Sequence, residues 1–474
     1  MVCTRGDIIK KIVVFPCRSL ERVRKKLLRY DKVGSKMKHQ LLARYPVGNP
    51  NRIWKQEHFI LHAPSPGPMI SSKLYTGERG ERVYRKTRRA VKTTMDAGFT
   101  MMGCLWADSR MAMDIVRTAE THGGSVLFQD LWRFGGTGHN PVLFETNDYE
   151  NVVRETRNWK CIKGYCMWDE PIPEDQMLET RRMIDWCEKE YPEVLPYTVA
   201  NPDGHLLCRD YVSYIRKFVE LIDPAQLGFD YYPIGKPEYD PARQLDNSSI
   251  WRCLEVVRRE AAKKGLPMWF AYQGHRYHFH KQYYSFHFAM ARSMAHAGIL
   301  HGAKALECYT EFDGYVDPAT GGPGPFFEEQ KKLNTELRTL GNTLMALKCL
   351  RVIHDDNLLP DNPVMEGLRT SMEESELLTG KLLPRISVSE HEDPHGNKYL
   401  MVLNRNYEKL AHIQLLLKQP SHIYEVSKED GEQYLRYEDA GDLAMYLEPG
   451  DLKLYRIQPA CEEPFTVEYY LEKD

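Results

Sequence analysis

Two adjacent carboxylates, Asp169 and Glu170, directly follow the apolar segment Ile162 to Trp168 and precede Pro171. The segment predicts a buried strand, and the carboxyl end of a strand in a parallel barrel is where side chains can meet a ligand. A carboxylic acid walled by Trp168 loses solvation, which raises its pKa toward that of a proton donor at neutral pH. Glu170 is therefore a candidate general acid. The alternative is a structural role, since acidic residues also stabilise the start of a following helix.

Three more carboxylates stand near the ends of later apolar segments. Asp230 and Glu307 lie in two of these segments, and Glu311 follows shortly after the second. A second carboxylate in the same cleft can act as a nucleophile or as a base beside an acid that donates a proton. We therefore predict that the catalytic set is drawn from Asp169, Glu170 and these three residues.

The ends of the apolar segments also carry amides, indoles, phenols and an imidazole. These candidate binding residues are Trp106, Gln129, Asp130, Trp132, Trp168, Asn201, Tyr231, Tyr232, Gln273 and His275. Amides and carboxylates bond hydroxyl groups, and flat rings pack on the apolar faces of a sugar ring. Any one of them could be structural, so the prediction depends on their convergence on one rim. Together they indicate an uncharged, hydroxyl-rich ligand.

Histidines cluster at His275, His278 and His280. Imidazoles are common metal ligands, but this spacing alone is a weak metal signal. We expect these side chains to form hydrogen-bonding walls of a loop over the site. The sequence therefore predicts no metal and no other cofactor.

The elements that must position these residues alternate along the middle of the chain. The apolar segments lie at 58–62, 98–102, 125–129, 163–168, 194–199, 227–231, 268–272 and 305–309. Helical periodicity covers 81–96, 111–122, 175–190, 211–221, 249–264 and 283–297. Eight βα units match the size of a closed (β/α)8 TIM barrel. An open doubly wound sheet is less consistent, because no Gly-rich phosphate motif follows the first segment.

The chain divides into three regions. The barrel is predicted over 56–350, in an α/β fold. Over 351–474, short strands separated by turn residues predict an antiparallel β-sandwich. The first region, 1–55, is expected to be a basic helical extension, since its first 44 residues hold 13 Lys or Arg against three acidic residues. With no nucleic-acid motif beside it, this basic region favours a solvated helix over a nucleic-acid site.

Composition restricts the partners. The chain has 474 residues, a formal net charge of −2 and 11 cysteines. A near-zero charge gives no general attraction to nucleic acid or to a membrane surface. The odd, scattered cysteines indicate free thiols in a reducing compartment, and no segment is long enough for a signal peptide or a membrane span. We therefore expect a cytoplasmic protein with a carbohydrate substrate, no nucleic-acid or membrane partner, and a possible homo-oligomeric assembly.

The order of three motifs resembles barrel glycoside hydrolases of the clan that includes family 42 β-galactosidases. The motifs are the strand end Gly164–Pro171, the segment Phe229–Pro233, and the helix Met290–Gly298 that leads into the last barrel segment. In that clan the fourth strand ends in Asn-Glu-Pro or a close variant, with the Glu as acid/base. The resemblance implies this role for Glu170 and a β-galactosidase-like hydrolase.

The resemblance covers residues 56–460 and departs from the clan at two positions. Asp169 stands where the clan has Asn. The clan's nucleophile is a Glu that ends the seventh strand, whereas here Gln273 and His275 occupy that region. The second carboxylate must then come from elsewhere, as a nucleophile about 5–5.5 Å from Glu170 or as a base about 6.5–9.5 Å away.

Two alternatives remain open at this point. The Asp169–Glu170 pair is similar to hexosaminidases of families 123 and 20, in which the Asp orients the substrate's acetamido group and the Glu protonates the leaving oxygen. In that case no protein nucleophile is needed. The missing seventh-strand Glu is also compatible with a barrel that binds carbohydrate without cleaving it.

Overall fold

The computed structural model describes most of the central and C-terminal chain. The described residues are 45–66, 81–105, 107–130, 133, 148–202, 210–234, 249–275, 286–310, 314–355 and 368–460, together with the backbone of 36–37, 136–137, 278–279 and 282–283. Trp106, Trp132 and Glu311 lie outside them, as do His280 and most of the predicted extension over 1–55.

Eight parallel strands close into a barrel, and each is followed by a helix. The strands are β1 (Ile60–Ala63), β2 (Met101–Gly103), β3 (Val126–Phe128), β4 (Ile162–Asp169), β5 (Leu195–Ala200), β6 (Leu227–Tyr231), β7 (Met268–Gln273) and β8 (Ala305–Tyr309). The helices are α1 (Glu81–Asp96), α2 (Ser109–His122), α3 (Tyr149–Thr156), α4 (Glu174–Glu190), α5 (Tyr211–Ile222), α6 (Ile250–Lys264), α7 (Phe288–Leu300) and α8 (Phe327–Ala346). Pairing of β8 with both β7 and β1 closes the ring. The predicted TIM barrel is confirmed, with each predicted strand present.

The barrel is filled by side chains from alternate strand positions. The interior cluster comprises Met101, Leu127, Cys166, Leu195, Tyr197, Val199, Ala225, Trp269 and Ala305. The three β5 residues in this cluster are two sequence positions apart, as expected for side chains on one face of a strand. At the amino ends of the strands, Trp269 Nε1 donates to buried Gln56 at 2.9 Å and helps to close the barrel floor. The pocket must therefore open at the opposite, carboxyl end.

The C-terminal region is a curled antiparallel sheet. Its strands are β9 (Lys348–His354), β10 (Leu378–Thr379), β11 (Ile386–Glu392), β12 (Lys398–Asn404), β13 (Ala411–Val426), β14 (Gln433–Leu447) and β15 (Leu452–Pro459). The long strand β13 pairs with β10 in its first half and with β15 in its second half, and register shifts separate the halves. The predicted antiparallel sandwich is thus built from one continuous sheet that folds over its own apolar core.

Helix α7 lies between the barrel and this sheet. Its His296 Nδ1 donates to the carbonyl of Gly450 at 2.9 Å, in the turn between β14 and β15. A side chain at position 450 would collide with the helix backbone, because a Cβ there would lie 2.3 Å from the carbonyl oxygen of Ala289. Gly450 also has φ +69°, which glycine adopts without strain. This turn therefore fixes how closely the sheet packs on the barrel.

The described cysteines are buried, and none of them forms a disulfide with another described cysteine. None of the helices in the described part of the chain is long and apolar enough to cross a membrane.

Four histidines are buried where the barrel meets the sheet: His296, His301, His354 and His391. The rings of His301 and His354 stack with their centroids 5.8 Å apart. Burial lowers the pKa of His301 to about 4 and the pKa values of His296 and His391 to about 3. Burial, followed by the charges of His301 and Arg405, also lowers the pKa of His354 well below its usual value. The folded protein therefore holds these rings neutral.

We expect the stability of the protein to fall in mild acid for this reason. Unfolded histidines take up protons below about pH 6.5, whereas the folded rings do not until the pH approaches their lowered pKa values. The stability that these neutral histidines contribute is therefore fully present above about pH 6.5. It decreases as the pH falls below that value, on the order of 1 kcal/mol per pH unit for each histidine. Urea unfolding between pH 7.5 and 4.5 measures this slope.

A matched pair of variants separates this effect from general acid denaturation. His301 Nδ1 donates to the carbonyl of Ala297 at 2.8 Å, and exposed His122 makes the same contact with Thr118 at 2.8 Å. His301→Asn should reduce the dependence of stability on pH, whereas His122→Asn should leave it unchanged. A wild-type stability that is flat between pH 7.5 and 4.5 would contradict the prediction.

Candidate active site

A pocket of about 180 Å³ opens at the carboxyl ends of the barrel strands. Four carboxyl side chains line it: Asp169 and Glu170 at the end of β4, Asp230 in β6 and Glu307 in β8. Because parallel strands end at the same rim of a barrel, residues far apart in sequence meet here. The structure thus brings together all the candidate catalytic carboxylates except Glu311, which lies outside the described residues.

Glu170 occupies a strained position just after β4. Its φ is +56°, in the left-handed region that costs a non-glycine residue about 1–3 kcal/mol. Two hydrogen bonds hold the turn: the Glu170 N–H donates to the carbonyl of Val199 at 3.1 Å, and Asn201 Nδ2 donates to the carbonyl of Glu170 at 3.2 Å. Asn201, a candidate binding residue, thus contacts the backbone of the candidate acid.

The hydroxyl of Tyr214 supports this turn from behind. It accepts from the Asn201 N–H at 3.0 Å and donates to the carbonyl of Pro171 at 3.2 Å. Both contacts are buried. Tyr214 therefore ties the segment after β4 to the segment after β5.

We expect Tyr214→Phe to destabilise the protein by about 1–3 kcal/mol, because two buried backbone groups lose this hydroxyl as a partner. Urea unfolding measures the change. Tyr446→Phe is the matched control: Tyr446 is 60% exposed, so its loss of a hydroxyl should alter the free energy of unfolding by no more than about 0.5 kcal/mol. Equal stability of the two variants would contradict the proposed contact.

Glu170 and Asp230 share a hydrogen bond between their side chains. Carboxyls this close require a proton between them. Burial, followed by the negative charges of Asp230 and Asp169, raises the pKa of Glu170 far above its usual value. Burial also raises the pKa of Asp230, but hydrogen bonds from Glu170 and Tyr232 oppose that rise. The shared proton therefore resides on Glu170, which is the state that a general acid requires.

Glu307 is held by two donors at the bottom of the pocket. The Tyr197 hydroxyl donates to its Oε1 at 2.8 Å, and His62 Nδ1 lies 2.6 Å from its Oε2. Burial, followed by the charge of Glu307, raises the pKa of Tyr197 well above the usual value, so its hydroxyl keeps its proton. The carboxyl group is 1% exposed and fixed in orientation. Neither His62 nor Tyr197 was predicted, and the signal that could have found them is their inward position on β1 and β5.

Asp169 lines the pocket at the end of β4. Its side chain makes no hydrogen bond or ion pair with any residue that the structure describes. Burial, followed by the charges of Asp230 and Glu307, raises the pKa of Asp169 to about 7. This carboxyl group is available to a ligand, and it does not cap α4, whose N-cap is Pro173.

Gln129 and Tyr232, two of the candidate binding residues, also line the pocket. The Tyr232 ring stacks on Tyr309 with centroids 4.6 Å apart and planes 22° apart, and both residues contact the pocket. Such a stacked pair offers a firm apolar surface to a sugar ring. Gln129 is 2% exposed, and its Nε2 has no hydrogen-bond partner among the described residues.

The structure does not bring three other predicted binding residues to the pocket. Trp168 is 1% exposed and packs in the core between the barrel and its helices. Asp130 accepts a hydrogen bond from Ser109 Oγ at 2.9 Å, and the Tyr231 hydroxyl bonds Ser249 Oγ at 2.7 Å. Each of these side chains points away from the barrel axis and has a structural contact there.

Gln273 and His275 form hydrogen bonds with the backbone of segments around the pocket. Gln273 accepts from the Ile234 N–H at 3.0 Å and donates to the Ile234 carbonyl at 2.8 Å, which fixes the chain after β6. His275 Nδ1 donates to the carbonyl of Tyr309 at 3.1 Å, and burial lowers the pKa of His275 to about 4. In the described part of the chain, no group of His, Cys, Asp and Glu side chains is arranged to hold a metal ion.

Comparison with known proteins identifies similar folds. No family model and no curated protein sequence matches the chain. A catalytic mutant of a family 42 β-galactosidase from G. stearothermophilus aligns with a TM-score of 0.50 at 10% identity, over 88% of this chain and 99% of that one. An Anoxybacillus α-amylase aligns with a TM-score of 0.46 at 10% identity, over 85% of this chain and 98% of that one.

The resemblance in fold that the sequence motifs indicated is therefore confirmed. The neighbour that aligns with a TM-score of 0.50 is a family 42 β-galactosidase, the family named by that resemblance. At 10% identity this similarity concerns the fold. The chemistry of the pocket follows from its own residues.

Proposed function

We propose that the protein is a glycoside hydrolase that removes one sugar residue from the end of its substrate. The observation that carries the proposal is the meeting of Glu170 with the hydrogen-bonded carboxyl group of Glu307 in one small pocket, where burial and neighbouring carboxylates raise the pKa of Glu170. Cleavage of a glycosidic bond uses an acid and a second carboxylate in this way. A pocket of about 180 Å³ suits a single sugar ring, and the Tyr232–Tyr309 pair supplies a surface for its apolar face.

Glu170 is the proton donor. It transfers its proton to the glycosidic oxygen as the bond to the anomeric carbon breaks, so that the leaving group departs as an alcohol. The negative charges of Asp230 and Asp169 then make the resulting Glu170 carboxylate a strong base. This favours removal of a proton from the incoming water, which is the second task of an acid/base residue.

We assign the second carboxylate to Glu307. Asp230 hydrogen-bonds the side chain of Glu170 itself, so we assign it as the partner of the acid and not as the second catalytic carboxylate. Asp169 has a pKa raised to about 7, so it is partly protonated at neutral pH. Glu307 is fixed by two donors at the pocket floor, where it meets the anomeric carbon as a nucleophile. Retention of anomeric configuration is the expected outcome.

One observation favours a second candidate, an N-acetylhexosaminidase that uses the substrate's own acetamido group. Asp169 faces the pocket beside Glu170 and has no partner among the described residues. An acetamide N–H could fill that place, and the acetamide oxygen would then attack the anomeric carbon. A thiazoline mimic of the cyclised intermediate should inhibit strongly in this case and weakly if Glu307 is the nucleophile.

A panel of aryl glycosides tests the proposal. Because a family 42 β-galactosidase shares the fold, aryl β-galactosides are the first substrates to try, followed by other hexosides and hexosaminides in both anomeric forms. We expect release of the aryl group by the wild-type protein and much slower release by Glu170→Gln prepared in parallel, most clearly from glycosides whose aryl group is a poor leaving group. Binding of an oligosaccharide by calorimetry with no turnover across the panel would indicate a carbohydrate-binding barrel instead.

A further inference from the structure

The pocket carries more negative charge than cleavage of a glycosidic bond requires. In addition to Glu170 and Glu307, Asp169 and Asp230 line it. One proton shared by Glu170 and Asp230 leaves three negative charges when Asp169 is ionised. Among the described residues that line the pocket, His62 is the sole basic side chain, and its Nδ1 already bonds Glu307.

Two of these carboxyl groups present oxygens for which none of the described residues supplies a hydrogen-bond donor. The Asp169 side chain has no hydrogen bond or ion pair within the described ranges. Asp230 Oδ1 is buried and has no hydrogen-bond partner there either. A ligand that displaces water from these oxygens and brings no donor to them leaves them unsatisfied, which is costly for an ionised group. The pocket therefore requires a ligand that brings donors, and preferably a positive charge, to this side.

A separate pair of buried side chains indicates that the same ligand also brings hydroxyl groups. Gln129 Nε2 and His62 Nε2 both lack a partner among the described residues, on side chains that are 2% and 1% exposed and that line the pocket. The Gln129 amide nitrogen is a donor, so it needs an oxygen acceptor. A cation alone, such as a metal ion, satisfies the carboxylates but not this amide. A sugar that carries an amino group satisfies both.

We propose that the sugar bound in this pocket carries a free amino group, so that the substrates are glycosides of amino sugars without an N-acetyl group, with the ammonium held by Asp169. An ammonium group offers three N–H donors and a positive charge. A hydroxyl offers one donor and no charge, and an acetamide replaces the charge with a neutral group. The kinetic test of this proposal rests on the proposed glycosidase function, because it requires turnover. The binding test does not depend on that function.

Binding is measured first, on the wild-type protein, with glucosamine, galactosamine, their N-acetyl derivatives, glucose and galactose as probes. We expect a free amino sugar to bind at least about tenfold more tightly than its hydroxyl and N-acetyl counterparts, because charge-assisted hydrogen bonds are the stronger class. The preference should weaken as the pH rises and the amine loses its proton. Equal or weaker binding of both amino sugars would overturn the proposal.

Turnover is measured next, with aryl glycosides of the same sugars. The ratio of kcat/KM for the amine to kcat/KM for the matched hexoside should be about ten or more in the wild type. Asp169→Asn should reduce this ratio toward one, since it removes the charge and keeps the shape. Asp175→Asn is the matched control, because Asp175 is an exposed acid in the first turn of α4, and it should keep the wild-type ratio.

The two proposals fail in different ways. Hydrolysis of neutral or N-acetylated glycosides at least as fast as the amine overturns the amino-sugar proposal and supports the glycosidase. Selective binding of an amino sugar with no turnover of any glycoside supports the amino-sugar site and overturns the glycosidase. Neither binding nor turnover overturns both. If Asp169→Asn does not fold, the pH dependence of amino-sugar binding by the wild type still decides the question.

Discussion

Replacement of Glu170 by Gln is expected to lower kcat by about 10²–10⁴-fold and to leave the fold intact, because an amide of the same size can bond Asp230 but has no proton to give. The measurement is steady-state hydrolysis of whichever aryl glycoside the wild type cleaves. The loss should depend on the leaving group. A substrate whose aryl group is a stable anion needs little protonation, so it should lose far less activity than one with a basic leaving group.

Glu174→Gln is the matched control for this change. Glu174 is exposed in the first turn of α4, four residues along, where it pairs with Lys217 at 2.8 Å. It should keep the wild-type kcat and the same urea midpoint. Wild-type turnover in Glu170→Gln would exclude Glu170 as the acid. An equal loss for good and poor leaving groups would indicate that Glu170 orients the substrate without donating a proton.

The position of Glu170 was predictable because its signal is local. An apolar segment that is followed directly by two acidic residues predicts the C-terminal end of a barrel strand. The structure places both acidic residues, Asp169 and Glu170, in the pocket at that end. The eight strands were predictable for the same reason, since each buried strand is a short apolar segment between helical stretches. The strained φ of Glu170 was not predictable, because contacts with Val199 and Asn201 from the next strand impose it.

The direction of side chains at the end of β4 depends on an irregularity that the sequence does not reveal. Cys166 faces the barrel interior, so a regular strand would point Trp168 inward and Asp169 outward. The pairing of β4 with β5 shifts register between Cys166 and Trp168. Trp168 is thereby turned into the core and Asp169 into the pocket. Regular alternation would therefore place the Trp168 side chain at the pocket, where it could contact a ligand. The register shift is the reason that this side chain lies in the core instead.

His62 and Tyr197 escaped prediction for a related reason. Strands of a closed parallel barrel are buried on both faces, so they lack the polar–apolar alternation that marks an inward position. A polar residue inside such a strand is conspicuous once the strands are aligned around the barrel. Their shared partner, Glu307, comes from β8, more than 100 residues from either, and no local pattern links the three.

Loss of the Glu307 carboxylate should be as damaging as loss of Glu170. We expect Glu307→Gln to lower kcat by about 10²–10⁴-fold or more, because residues that act as a unit give losses of similar, non-additive size. The double variant with Glu170→Gln should therefore be little worse than either single variant. Tyr197→Phe should have a smaller effect, since His62 still holds the carboxylate. Steady-state kinetics on one aryl glycoside compares all four proteins.

Two further experiments separate a nucleophile from a buried structural acid. Glu390 is also 1% exposed, and Glu390→Gln removes a hydrogen-bonded carboxylate from the C-terminal sheet; it should reduce stability without reducing the kcat of the folded protein. Glu307→Ala opens space on the pocket floor, where added azide can attack the anomeric carbon as Glu170 protonates the leaving oxygen. A glycosyl azide of inverted configuration is then the expected product. If azide restores nothing and Glu307→Gln retains activity, the nucleophile is the substrate's own substituent, and Asp169 becomes the residue on which turnover depends.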